Sequence, residues 1–389
     1  MNWESELLHV GDKRSDWGGA INPPVVHASL FCFDSLQQLQ DWRDGKIKHY
    51  FYARAGHPTS RVLEEKIAFL EMAEDAVAFA SGMAAITSTL LALLKAGDHT
   101  LVIDHAYSRG FYDRVLTKWG IEVEHFTSEE AADLSGRIKP NTRLIYLESP
   151  VSIVFDIQDL RAAARVAKEH GVLTAIDNSW ATPVYQNPIE LGIDLVIHSG
   201  SKYIGGHSDL VLGLVAGSAD LVHEVRRMGG SLGGMLSADD AYLAIRSLRT
   251  LPIRMERHQA SALRIARWLE GRPEVSEVRY PGLESFPGHA LAESQMRGYS
   301  GLFSFRLQPH DRAAQHRFVD SLLDLFQLAC SWGGYESLII PVMVRPIEGP
   351  PADAERGLED VLYRTSIGLE DPDDLIACLA NALIAWAAD

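Results

Sequence analysis

From about residue 60 to 217, short apolar runs rich in Val, Ile, Leu and Ala alternate with stretches whose apolar residues recur at helical spacing. That alternation predicts an α/β fold, with a mostly parallel central sheet and helices on both faces. The runs Ala76–Ala80, Thr100–Asp104, Arg143–Glu148, Val172–Asp177, Asp194–His198 and Val211–Ala216 are the expected strands. Between the third and fourth of them, Leu160, Ala163, Ala164 and Ala167 share one helical face and Gly171 supplies a stop. These segments make a βαβ unit.

The pattern changes after about residue 237. A long helical stretch from Ala238 to Glu270 precedes expected strands at Val278–Tyr280 and Leu302–Leu307, and Asp371-Pro372-Asp373-Asp374 opens a closing helix. Proline just inside a helix start, flanked by acids that favour the positive end of the dipole, supports that opening. The first 50 residues carry Pro23-Pro24 and little periodicity. The expected organisation is an extended arm over 1–50, able to wrap a neighbouring subunit, a large ligand-binding domain over 51–237, and a smaller α+β domain over 238–389.

A chain of 389 residues with 47% hydrophobic composition can bury a sizeable core. Its formal net charge of −16 would repel phosphate backbones and anionic lipid surfaces, so neither nucleic acid nor membrane is an expected partner. Cys32, Cys330 and Cys378 are odd in number, far apart and without zinc-ligand spacing, which fits a reducing cytoplasm and predicts no metal site. The acidic start, Met1-Asn2-Trp3-Glu4-Ser5-Glu6, lacks the basic and apolar segments of an export signal.

Open parallel α/β sheets bind ligands beyond the carboxyl ends of their strands, and three such ends carry candidate chemistry. Ser81-Gly82-Met83 follows the first strand; a small residue there lets backbone N–H groups and a helix start meet a phosphate, although a tight βα turn wants glycine anyway. Asp177-Asn178-Ser179-Trp180 offers a carboxylate for a protonated pyridine nitrogen, although Asp-Asn is also a common turn pair. Ser199-Gly200-Ser201-Lys202-Tyr203 sets two hydroxyls and a glycine around one lysine, which suits a phosphate beside a nucleophilic amine; a surface lysine in a loop is the alternative. Ser199-Gly200-Ser201-Lys202 also fits the S-x-x-K of serine acyl-transferases, but the S-D-N and K-T-G elements of that class are missing. His198 and His207 lie too far apart for paired ligands on a helix.

Together these residues resemble the Cys/Met-metabolism family of fold-type I pyridoxal 5'-phosphate (PLP) enzymes, over about residues 17 to 385, with Ser201 where the family's lysine motif usually has threonine. The resemblance implies that Lys202 holds PLP as a Schiff base, that Asp177 pairs with its ring nitrogen, and that Gly82, Met83, Ser199 and Ser201 bind its phosphate. Tyr52 and Arg54, in Tyr52-Ala53-Arg54, would reach the phosphate of an adjacent subunit's cofactor, which implies a homodimer at minimum and usually a homotetramer. Tyr107 would stack on the ring and assist proton transfer. Arg364 would clamp the α-carboxylate of an amino-acid substrate, with Tyr52, Ser331 and Trp332 beside it. Glu148-Ser149-Pro150-Val151-Ser152, without the asparagine usual in γ-elimination enzymes, and Ser331-Trp332-Gly333-Gly334-Tyr335-Glu336-Ser337 are most similar to the cystathionine β-lyase branch. Cys330 and Gly230 depart from it at the distal end of the implied pocket, which leaves a γ-lyase of cystathionine, methionine or canavanine-like substrates as the alternative.

Overall fold

The computed structural model describes residues 2–343 and 361–388. Its centre is a seven-stranded sheet of β1 (Asp75–Phe79), β2 (His99–Ile103), β3 (Glu122–Phe126), β4 (Thr142–Glu148), β5 (Leu173–Asp177), β6 (Leu195–Ser199) and β7 (Gly213–Gly217), in the spatial order β1-β7-β6-β5-β4-β2-β3. Five neighbouring strands, β3, β2, β4, β5 and β6, are parallel. β7 is the exception: Val211–Ala216 was expected among the parallel set, and the strand instead runs antiparallel to both β6 and β1. Only 13 residues separate β6 from β7, too few for a helical crossover of the usual size. Two antiparallel steps return β1 to the direction of β6. The turn after Phe79 therefore opens at the same sheet edge as the ends of β4, β5 and β6.

The helices cover this sheet as the pattern requires. Leu160–His170 starts on Asp159, whose side chain caps Ala162 N–H, buries Leu160, Ala163, Ala164 and Ala167, and stops at Gly171 in the left-handed conformation, φ 66°. Strand β3 escaped the pattern because Glu122-Val123-Glu124-His125 leaves side chains partly exposed at the sheet edge.

A second, five-stranded sheet combines β8 (Val275–Arg279), β9 (Leu302–Leu307), β10 (Gln327–Leu328), β11 (Leu338–Met343) and β12 (Val361–Ser366), in the order β10-β11-β12-β9-β8. The expected helix from Ala238 to Glu270 is two helices, Ala238–Leu248 and Leu251–Glu270, broken just before Pro252. Proline lacks the N–H that would continue the ladder and is favoured in a helix's first turn. The closing helix, Pro372–Ala387, starts where the acid-Pro-acid signal places it, with Asp371 capping Asp373 N–H. The first 50 residues include helices at Trp3–Leu7 and Leu36–Arg43 and a 3-10 turn at Arg14–Trp17 within otherwise irregular chain. No helix among the described residues is long and apolar enough to cross a membrane.

Candidate active site

Parallel register puts the ends of β4, β5 and β6 side by side. Glu148 pairs with Asp177, and Asp177 with Ile197, two residues before Ser199. A cavity of about 250 Å³ opens there, lined by Tyr107, Glu148, Asp177, Ser199, Lys202, Cys330, Ser331, Trp332 and Arg364, with Pro150, Ile153, Phe155, Trp180 and Leu302 as apolar wall. Seven of the residues expected from sequence thus meet in one place: Tyr107, Asp177, Ser199, Lys202, Ser331, Trp332 and Arg364.

Lys202 Nζ donates to Ser331 Oγ at 2.7 Å and lies 5.4 Å from the centroid of the Trp332 ring. Burial, with the nearby positive charge of Arg364, lowers the Lys202 pKa, which favours a neutral, nucleophilic amine. Ser331 takes φ 92°, a backbone conformation costly for a residue with a Cβ. Gly333 follows at φ 83°, where a Cβ would come within 2.8 Å of Tyr203 N and 3.1 Å of Lys202 Cα, so glycine lets this loop press against the lysine. Arg364 projects from β12; its Nη2 reaches the Ser331 carbonyl at 3.5 Å, a long contact that leaves the fork available to a ligand.

Asp177 is buried, and burial raises its pKa. Ser179 opposes that shift by donating twice to Asp177 Oδ1, from its backbone N at 2.9 Å and its Oγ at 2.5 Å. The same Ser179 Oγ accepts from Ser199 N at 2.6 Å, which ties the end of β6 to the carboxyl on β5. Sequence alone does not single out Ser179 or Glu148 as site residues, although both stand at strand ends; an acid or serine there is too common to be chosen without the register.

The turn after β1 forms an anion cradle. Ser81 caps the helix Gly82–Leu93: its Oγ takes the Ala84 N–H at 3.0 Å and its carbonyl the Ala85 N–H at 3.1 Å. The two preceding amides, of Gly82 and Met83, belong to the donors that a helix start leaves for an outside acceptor. A Cβ on Gly82 would stand 3.0 Å from Ser199 Cβ and 3.1 Å from its Oγ, so the absent side chain lets the helix start and the end of β6 meet. These residues fit a phosphate ester with a protonated ring nitrogen at its far end: free amides and a hydroxyl at one side, a fixed carboxyl at the other, and an amine between. Ser201 points elsewhere, its Oγ accepting from Leu212 N at 3.0 Å. Tyr52 and Arg54 do not line the cavity; Tyr52 is exposed, and Arg54 donates to the Gly230 carbonyl at a separate groove.

Residues 4–384 match the model of the Cys/Met metabolism PLP-dependent enzymes. A cystathionine β-lyase of Lactococcus lactis subsp. cremoris is 39% identical over 385 residues, 98% of each chain. An L-methionine γ-lyase of Pseudomonas putida is 38% identical over 389 residues, 98% of this chain and 97% of that one. The crystal structure of metB from Corynebacterium glutamicum matches with a TM-score of 0.88 at 37% identity, covering 99% of this chain and 98% of that one.

Proposed function

This chain belongs to the Cys/Met metabolism family of PLP-dependent enzymes and is a carbon–sulfur lyase, and we propose that it performs β-elimination on cystathionine, giving homocysteine, pyruvate and ammonia. The observation that carries the reading is the single cavity in which Lys202 Nζ, Asp177 and Arg364 converge. Lys202 would hold PLP, Asp177 would pair with its ring nitrogen, and Gly82, Met83 and Ser199 would bind its phosphate, joined by Ser201 if its hydroxyl turns from Leu212. When bound, PLP supplies an electron sink for the pair left at the substrate Cα.

The chain's own residues do the rest. Arg364 binds the substrate carboxylate in its fork and so fixes which Cα bond faces the lysine. Lys202 Nζ, when free, would remove the Cα proton; its lowered pKa suits a base, and Ser331 Oγ aims it. Tyr107, on the cavity wall, would cover the cofactor ring and assist proton transfer as substrate enters. The β-thiolate departs, and the remaining three-carbon enamine hydrolyses to pyruvate and ammonia. Tyr52 and Arg54 serve a neighbouring subunit's site in a homodimer, paired further into a tetramer. The division into an arm over 1–50, a PLP-binding domain over 51–237 and a small domain over 238–389, and a cytoplasmic location, complete the reading.

β-Elimination is favoured over γ-chemistry by Ser152, which stands where an asparagine would serve γ-elimination and is bonded to Glu148 at 2.5 Å. Cys330, on the cavity wall, supports the second reading, a γ-lyase acting on cystathionine, methionine or a canavanine-like amino acid, because it does not follow the β-lyase pattern; Gly230, the other departure expected at the distal pocket, lies instead at the separate groove beside Arg54. Product analysis with cystathionine separates the two. Pyruvate with homocysteine is the expected outcome; 2-oxobutyrate with cysteine would establish γ-elimination instead.

A further inference from the structure

We propose that Glu148 is a positioning residue that fixes Tyr107 at the cavity by holding its backbone N–H. Tyr107 is 54% exposed, so side-chain packing does little to place it. Its turn is also conformationally costly, since His105 and Ser108 on either side of it take left-handed φ of 60° and 61°. The loop beyond Glu148 has the same character, with left-handed φ at Ile153 (72°) and Phe155 (59°). Two such turns persist only where the surroundings hold them.

Glu148 holds both. Its Oε2 accepts from Tyr107 N at 2.7 Å, and its Oε1 accepts from Ser152 N at 2.7 Å and from Ser152 Oγ at 2.5 Å. The carboxyl is nearly fully buried at the end of β4, in register with Asp177, and burial together with that neighbouring charge raises its pKa to about 8. An acid is thus kept where it is costly. The reason is acceptor count: both carboxyl oxygens can accept, whether the group is ionised or protonated, whereas a glutamine of the same shape has one oxygen for Ser152 and an amide NH₂ that cannot accept the Tyr107 N–H. Aspartate would be too short to reach both loops from the same strand position.

The proposal rests on the reading that Tyr107 covers the cofactor ring, and the test separates the two. PLP is titrated into the full-length apoenzyme of wild type, Glu148→Gln, Tyr107→Leu and the double variant, following affinity and the circular dichroism of the bound cofactor. Glu148→Gln is expected to weaken PLP about tenfold and to reduce its dichroism, the size of effect of one lost hydrogen bond to a charged or strongly polar group. In the Tyr107→Leu background the same substitution should change affinity less than about twofold, because Glu148 acts through Tyr107. Full additivity, or a Glu148→Gln protein that binds PLP like wild type, would overturn the proposal. A Tyr107→Leu protein that binds PLP with unchanged affinity and dichroism would overturn the underlying reading of Tyr107 itself. Amide hydrogen exchange on the wild-type chain needs no variant: slow exchange of the Tyr107 N–H is expected, and exchange as fast as in open loops contradicts it.

Discussion

Adding one methyl group at Gly82 perturbs the phosphate cradle without touching a charge. In Gly82→Ala the new Cβ meets three atoms of Ser199 at 3.0, 3.1 and 3.2 Å, short of the 3.4 Å at which ordinary contact begins. Relief requires a shift of a few tenths of an ångström, and one of the three atoms is the Cα of β6. That backbone has little room, because Ser199 pairs with Gly213 in the sheet and Gly213 is itself pressed by the Ser81 carbonyl, where a Cβ would come to 2.2 Å. Overpacking of this kind costs about 1–3 kcal/mol. Alanine in place of glycine in the first helical turn recovers part of it, up to about 1 kcal/mol. The strain concentrates on the two groups meant to share the phosphate, so a net cost of about 1–2 kcal/mol should lower PLP affinity about 5- to 30-fold at 1.4 kcal/mol per tenfold. The unfolding midpoint of the apoprotein should move far less. Titration of PLP into apoenzyme, read by its visible absorbance, measures the first quantity, and thermal unfolding the second. Unchanged PLP affinity would refute the assignment of the Gly82–Ser199 contact as the phosphate site.

Three further outcomes are expected. Arg364→Ala should raise KM for amino-acid substrates about 10- to 100-fold, the worth of a charge-assisted carboxylate pair, while the absorbance of bound PLP is retained; an unchanged KM contradicts the clamp. Ser179→Ala removes the Oγ hydrogen bond, one of the two that oppose the burial-driven rise of the Asp177 pKa, and leaves the backbone N–H bond in place, so that pKa should climb further and the acidic limb of the kcat/KM profile should move to higher pH, with Ser179→Thr restoring it; an unmoved limb refutes the coupling. In the apoprotein, Glu148 takes up a proton on folding between the ordinary 4.5 and about 8, so its contribution to stability is present below that window and lost as pH rises through it. Thermal unfolding of wild-type apoprotein should therefore weaken more between about pH 5 and about pH 8 than that of Glu148→Gln; parallel curves would show that Glu148 does not titrate in this way.

The parts legible in the sequence are those governed by local periodicity. Lys202 and Asp177 stand at the ends of strands buried on both faces, whose near-continuous apolar runs announce a parallel sheet. The Gly82 turn was legible as a strand-to-helix junction, but not its partner, since the approach of Ser199 depends on two antiparallel steps that no pattern in the chain encodes. Arg364 was reachable only by resemblance. Its strand β12 pairs with β11, which carries Pro341 and reads poorly as a strand, and the connection between them lies outside the described residues. Glu148 shows a different difficulty: its chemistry lies in accepting from two loops 41 and 4 residues away, and such convergence is a property of the fold.

The central claim is that Lys202 is the amine that holds PLP. Borohydride reduction of the PLP-loaded protein, followed by peptide mapping in the mass spectrometer, tests it directly. The account predicts a stable pyridoxyl adduct on the peptide containing Lys202, and none on that peptide in Lys202→Ala. An adduct confined to another lysine, or no adduct in a wild-type protein that binds PLP, would contradict it.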